Sequence, residues 1–318
     1  MTTVRKPILS GQSPFAMFIF SSLGVILIGL VFQLIGLFLT VLIYDVSMLE
    51  LMDLSGDEAP GVINAVKFLQ IIGALGTFVF SSMLISFFYT GSWFGYFPFG
   101  RNLNAGSSIF LVLVMIVSLP FVNLLTEFNM GLELPFERID NYLRQLEEQT
   151  ETLMMTLVRA DNLRALLVNL FMIAIIPAVG EELVFRGLLQ RHLTEMFKNG
   201  HVAVIIAAGI FSLAHFQVYS FLPRFFLGLI LGYAFLYGRS IWYPMIAHLV
   251  NNTLGVLFYF FYMKESDAPS GSLEEIGTVD LMPWVGMLSF VLVVIMMVLW
   301  IRMEQANQSL RRDSAGRD

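Results

Sequence analysis

Cysteine is absent from the 318 residues, which excludes disulfides, thiolate metal sites and thiol catalysis. Charge is scarce. Asp, Glu, Lys and Arg make up 13% of the chain, against roughly 25% in soluble domains, and that shortage excludes an ordinary water-soluble protein. Imidazole is scarcer still: any histidine chemistry must use His192, His201, His215 or His248. The net charge of −6 carries little information about partners, because its distribution along the chain matters more. No nucleic-acid partner is expected.

What fills the chain instead is apolar surface. Hydrophobic residues account for 57% of it, and uncharged runs recur at 7–44, 68–100, 102–126, 165–180, 202–223, 225–238, 240–263 and 281–301. A helix needs about 20 mostly apolar residues to cross the hydrocarbon core, and most of these runs qualify. Their continuity argues against a β-barrel, whose strands alternate between lipid and lumen. The apolar character from Phe15 to Ile43 is also too long for a removable signal peptide. The expected fold is all-α: a polytopic membrane protein, a bundle of about eight transmembrane helices around a polar intramembrane catalytic cavity.

The spans are expected near 15–43, 65–89, 109–126, 163–198, 202–217, 221–237, 241–263 and 282–301. Lys67, near the start of the second, is expected to snorkel to the interface. Residues 127–161 differ from the rest, with eight acids and three arginines. Within them Leu143, Leu146, Thr150, Leu153 and Leu157 mark one face of a helix. An amphipathic helix on the membrane surface or capping the bundle fits this pattern; a simple helical linker is the alternative. Alternate connections collect the basic residues 5, 6, 101, 191, 198, 239, 302, 311, 312 and 317, and the acidic segments 45–61, 127–161 and 264–280 lie on the other side. The bias toward cytoplasmic Lys and Arg places both termini in the cytoplasm, and the bacterial inner membrane is the expected location.

Four places put costly groups at membrane depth. In Pro177-Ala-Val-Gly-Glu181-Glu182-Leu-Val-Phe-Arg186 three ionised groups follow an uncharged run; on insertion scales each costs roughly 2.5–3.5 kcal/mol near the helix centre. Glu182 and Arg186 are four apart and can pair on one face, which leaves Glu181 free to point elsewhere. Pro177 and Gly180 can bend or open the helix before them. A purely structural network of the three is the alternative. His215 stands in the fifth run, where a lone histidine is more often a packing residue. His248 and Asn252 in the seventh share a face at i, i+4 and suit either a site or an interhelical clamp. Gly228-x-x-x-Gly232 reads as a close helix contact. Arg224 is expected as an interfacial anchor, with a partner carboxylate as the alternative, and His192 and His201 as surface residues. At 1.5 Å rise per residue, Glu181 lies about 25 Å along its helix from the turn at Lys198, and tilt lets it meet His215, His248 and Asn252 in one cavity.

One carboxylate, two imidazoles and a carboxamide suit two mechanisms. In one, Glu181 is the general base on a water held by His215, while His248 and Asn252 donate to the oxyanion of a peptide bond; no cofactor is required. In the other, Glu181, His215 and His248 bind Zn²⁺, which activates the water. H-E-x-x-H is absent, and the residues leave both open.

E-E-x-x-x-R (Glu181, Glu182, Arg186), F-x-x-x-H (Phe211, His215) and H-x-x-x-N (His248, Asn252), in that order on successive apolar runs, resemble the CPBP, or Abi, family. That family holds the type II CAAX prenyl endopeptidases and bacteriocin-processing or self-immunity proteins. The resemblance covers about residues 163–258 and implies an intramembrane endopeptidase acting near the C-terminus of a membrane-anchored peptide or protein in the lipid bilayer. It implies Glu181 with His215 as water activators, His248 with Asn252 as the oxyanion pair, and Glu182 and Arg186 in support. It divides the chain into an N-terminal transmembrane region (1–162), a catalytic core (163–258), and an acidic loop, last span and basic tail (259–318). A non-enzymatic immunity or scaffold protein of the same fold is the rival; a proton-coupled transporter fits buried Glu and His but lacks visible repeats.

Overall fold

The structure is a computed structural model that describes residues 9, 11–52, 59–100, 103–263 and 283–315. Among them the regular elements are all helical. In chain order the main helices are α1 (Pro14–Tyr44), α2 (Pro60–Thr90), α3 (Ala105–Met130), α4 (Glu137–Val158), α5 (Leu163–Phe197), α6 (Gly200–Leu213), α7 (Phe221–Gly238), α8 (Trp242–Phe261) and α9 (Pro283–Ala315). Seven of these, all but α4 and α6, are long and apolar enough to cross a membrane. The chain is an all-α polytopic membrane protein. The charges at Arg5, Lys6, Arg101 and Arg317, the side chains of Arg311 and Arg312, and the loop 264–280 lie outside the described residues.

Local chemistry sets the helix starts. Ser13, Asn104, Asn162 and Asn199 each accept a backbone N–H from the first turn that follows, capping α1, α3, α5 and α6. Such caps satisfy donors that have no partner inside the helix. On the outer faces of α1 and α9, residues such as Leu34, Phe38, Trp284 and Val291 are exposed, as expected where lipid is the solvent.

α5 is the exception: every residue from Leu183 to Gln190 is buried. A helix buried on all sides belongs to a core. Its apolar residues join Ile85 and Tyr89 of α2, Phe211 of α6 and Met245 of α8 in one cluster. A second cluster ties α3, α7, α8 and α9 together around Leu111, Leu231, Tyr243 and Trp300.

Gly228 and Gly232 bring α7 against α6, as the spacing suggests. A Cβ on Gly228 would lie 3.0 Å from Ala208 Cβ, and one on Gly232 2.8 Å from Val204 Cγ1. The same two glycines present carbonyls to α5: Arg186 Nη2 donates to Gly228 O at 3.2 Å and Gln190 Nε2 to Gly232 O at 3.0 Å. Both pairs are 42 residues apart, so α5 and α7 run parallel with a fixed register.

Three expectations change. The fifth run makes a helix of 14 residues, about 21 Å long and short of the roughly 30 Å hydrocarbon core. It stops at Leu213, because Ser212 Oγ donates to Phe221 O at 2.7 Å and Phe216 turns the chain with a left-handed φ of 56°. His215 therefore sits in a turn, not inside a helix. Lys67 does not snorkel: it is buried and donates to Asn169 Oδ1 of α5 at 2.8 Å. His192 is not a surface residue but fully buried, hydrogen-bonded to Ser21 at 3.1 Å and Tyr96 at 3.2 Å. His201 is exposed, as expected.

α4 caps the turn that carries His215. Tyr219 OH donates to Asp140, and Arg144 donates to the same carboxylate at 2.8 Å while stacking on the Tyr219 ring. Glu147 accepts from Gln217 Nε2 at 3.1 Å and from Tyr219 N at 3.4 Å. The Tyr219 hydroxyl, the Leu134 N–H and Arg144 together hold the Asp140 carboxyl down at about 2, so its stabilising effect is present above the ordinary carboxylate range and is lost as pH falls through about 2.

Two outcomes test this packing. Gly228→Val must push α6 and α7 apart and should lower stability by about 1–3 kcal/mol, read as a fall in melting temperature in detergent; an unchanged midpoint would contradict the close contact. Asp140→Asn should speed amide hydrogen exchange in α4 at neutral pH, and equal exchange in the two proteins would mean that the cap does not depend on this carboxylate.

Candidate active site

The site begins with two defects in α5. The helix is π-helical over Leu170–Ile175 and again over Leu183–Gln190, and such widened turns frequently mark functional positions. Between them lie Pro177, Gly180, Glu181 and Glu182. Pro177 has no N–H to give the Ile173 carbonyl four residues before it. Asn252 Nδ2 of α8 donates to that carbonyl at 3.1 Å. Asn252 is thus a clamp on α5 as well as a polar group at the site, and one N–H of its amide remains beyond this bond. Gly180 lets α5 press against α2, since a Cβ there would lie 2.6 Å from Phe78 Cβ.

Glu182 is the hub. Its Oε1 accepts from Arg186 Nη1 at 2.7 Å and from His248 Nδ1 at 2.8 Å. Both Glu182 and Arg186 are buried, and Arg186 is further held by Gly228 O and by the face of Phe211 at 4.8 Å. The expected Glu182–Arg186 pair forms and takes in His248 as well. Because a carboxylate oxygen faces Nδ1, that nitrogen carries the proton. Nε2, on the other side of the ring, lies 3.9 Å from Glu181 Oε2. This is beyond direct hydrogen-bond range and suited to a bridging water.

His215 reaches the cluster through Phe211. Its Nδ1 lies 2.9 Å from Phe211 O, so that nitrogen is the donor and Nε2 is left as an acceptor. The Phe211 ring stands edge-on to both imidazoles, with centroids 5.1 Å from His215 and 6.0 Å from His248. The phenylalanine of F-x-x-x-H therefore supplies a carbonyl to fix one histidine and a wall between the two.

The structure thus joins Glu182, Arg186 and His248 directly, sets Glu181 3.9 Å from His248, places Asn252 one turn along α8 from His248, and attaches His215 by way of Phe211. Glu181, His215 and His248 do not make a metal-ligand set: among the described residues no three His, Asp or Glu side chains converge as a metal ion requires. His248 Nδ1 is already committed to Glu182. Sequence reasoning missed Gln190, which continues the Arg186 contact one turn on. The matched i, i+4 spacings of Arg186/Gln190 and Gly228/Gly232 are the signal for it. It also missed the buried His192 network, for which a histidine near a helix end gives no warning.

Removing one partner of a buried ion pair leaves the other uncompensated, so Glu182→Ala should destabilise the fold by about 3–5 kcal/mol. Glu182→Ala combined with Arg186→Met should recover much of that loss. A melting temperature that falls equally in the single and double variants would argue against the pair.

Residues 163–254 match the family model Rce1-like, described as type II CAAX prenyl endopeptidase Rce1-like. No curated protein and no solved structure matches the chain significantly. The matched segment begins with α5 and reaches Leu254 of α8, so it contains both glutamates, Arg186, both site histidines and Asn252. Through these residues this part of the chain is similar to the Rce1-like type II CAAX prenyl endopeptidases.

Proposed function

We propose that the protein is an intramembrane endopeptidase that hydrolyses a peptide bond of a membrane-associated peptide or protein by means of an activated water. The observation that carries this reading is His248 set between two carboxylates, with Nδ1 on Glu182 at 2.8 Å and Nε2 facing Glu181 at 3.9 Å. The family match supports the same kind of activity.

Glu181 is the general base. A water between Glu181 Oε2 and the Nε2 acceptor of His215 gives its proton to Glu181 and attacks the scissile carbonyl. The carbonyl oxygen becomes an oxyanion, the C–N bond breaks, and the proton passes from Glu181 to the departing amine. His248 donates to the oxyanion from Nε2 and keeps that proton throughout, and Glu182 fixes the ring, as an orienting carboxylate does in a hydrolase triad. Asn252 donates its remaining N–H to the same oxygen. Glu182 therefore acts through His248 as a positioning residue, and Arg186 holds Glu182. This assignment needs no cofactor. The substrate side is a peptide embedded in or anchored to the lipid bilayer, and the integral membrane protein would sit in an inner membrane with both termini cytoplasmic.

Cleavage of a fluorogenic CAAX-type peptide in detergent tests the proposal. Glu181→Ala and His215→Ala should each keep a cooperative thermal transition and lose at least about 100-fold in rate. Full activity in either variant would overturn the assignment. Loss of stability with no cleavage by the intact chain would favour a scaffold that keeps the polar cluster for structure. Activity that survives a strong chelator is the expected outcome for the water reading, and activity lost with it would favour a metal-bound water.

A further inference from the structure

Phe216 follows His215 directly and takes no part in the chemistry described so far. Its backbone is left-handed, with a φ of 56°. Among the described residues the other non-glycine residues with positive φ are Asp45, Lys198 and Arg239, polar residues that end α1, α5 and α7. Phe216 is the aromatic one of the set. Past the end of a helix this conformation ordinarily falls to glycine or asparagine, for which the left-handed region is accessible. A bulky side chain held there is an outlier, and an outlier of this kind points to a function.

Packing does not account for the ring. Phe216 is 85% exposed, more than any other large apolar residue among those described. Phe38 and Trp284 also face outward, but from regular helices and without backbone strain. Glycine at 216 would keep the turn, relieve the strain and give up little buried contact. The chain nevertheless holds a phenyl ring beside the histidine that the proposed reaction uses. The backbone that presents it is fixed on both sides. Ser212 Oγ donates to Phe221 O at 2.7 Å, Gln217 is held between Arg224 and Glu147, and Tyr219 OH donates to Asp140. Leu213 and Val218, on either side of the turn, are exposed as well, so His215 stands in a rigid stretch with an apolar rim.

We propose that Phe216 is a specificity-determining residue, whose ring meets an apolar side chain of the substrate peptide beside the bond to be cut and favours a bulky residue there. Consecutive Cα atoms are about 3.8 Å apart, so a scissile carbonyl brought to the water at His215 carries its flanking side chains close to the next residue of the turn. A rigid aromatic ring gives a large contact at little cost in conformational freedom. This inference rests on the endopeptidase reading above and deepens it by naming the residue that grips the substrate.

The test uses the full chain in detergent with two fluorogenic CAAX-type peptides that differ only in carrying Leu or Ala at the residue after the cut bond. The Leu probe should be preferred at least about tenfold in kcat/KM, mainly through KM. Phe216→Gly and Phe216→Asn, both at ease with a positive φ, should bring that ratio to about one with a melting temperature equal to or above that of the intact chain. Phe216→Tyr should keep the preference. A ratio near one in the intact chain, an undiminished ratio in Phe216→Gly and Phe216→Asn, or a lower melting temperature in both, which would make the ring a packing residue, would overturn the proposal. Fluorescence-anisotropy binding of both probes to Glu181→Ala, with and without Phe216→Gly, separates the two readings. Tighter binding of the Leu probe that Phe216→Gly abolishes, with no cleavage by the intact chain, would sink the endopeptidase and keep the ring contact. Cleavage by the intact chain with equal binding of the two probes would sink the ring contact and keep the endopeptidase.

Discussion

The bundle depends on one buried carboxylate. Glu182 holds Arg186 and His248 at once, and through them it binds α5 to α7 and α8. Arg186 reaches the Gly228 carbonyl, and that contact sets the register in which Gln190 meets Gly232. Charges in a membrane interior are tolerated when they satisfy one another. Here the mutual satisfaction also sets the geometry, because the oxygen that neutralises the guanidinium is the one that fixes the imidazole. One atom therefore serves both contacts, and the ion pair and the orientation of the imidazole cannot be separated at this residue.

Backbone irregularity serves the same end. A regular α5 would give its Ile173 carbonyl to residue 177, but that residue is proline, and the carbonyl is taken by Asn252 instead. The proline therefore leaves a carbonyl of α5 open to the asparagine. The two π-helical segments around Glu181 and Glu182 widen the helix where polar groups must point inward, and Gly180 allows α2 to close behind them.

Much of this was legible in the chain. Uncharged runs located most of the long helices to within a few residues, since twenty apolar residues in lipid have few alternatives to helix, but α9 continues past the expected end at 301 to Ala315. The i, i+4 spacing of Glu182 and Arg186 foretold their pairing. It could not foretell that His248 would share the oxygen, because contacts between helices depend on rotation about their axes, which a hydropathy pattern leaves free. The fifth run misled for a related reason: its apolar residues continue past Leu213, and the Ser212 bond to Phe221 O and the left-handed turn at Phe216 follow the helix end there. Lys67 and His192 were misplaced because a polar residue near a helix end can turn outward or inward, and the partners that decide it, Asn169 for one and Ser21 with Tyr96 for the other, are far away in sequence.

The shortness of α6 has a further consequence. A helix of about 21 Å in a bilayer core of roughly 30 Å leaves a notch in the wall of the bundle, and irregular backbone is stable at such depth only where protein or a water-lined cavity covers it. The His215 turn lies at that notch, and α4 is the cover. Lipid beside α6 must thin or disorder to meet so short a wall, at a modest cost for each ångström of mismatch. The loop that carries His215 is thus held in place by protein contacts with α4 rather than by regular helix packing.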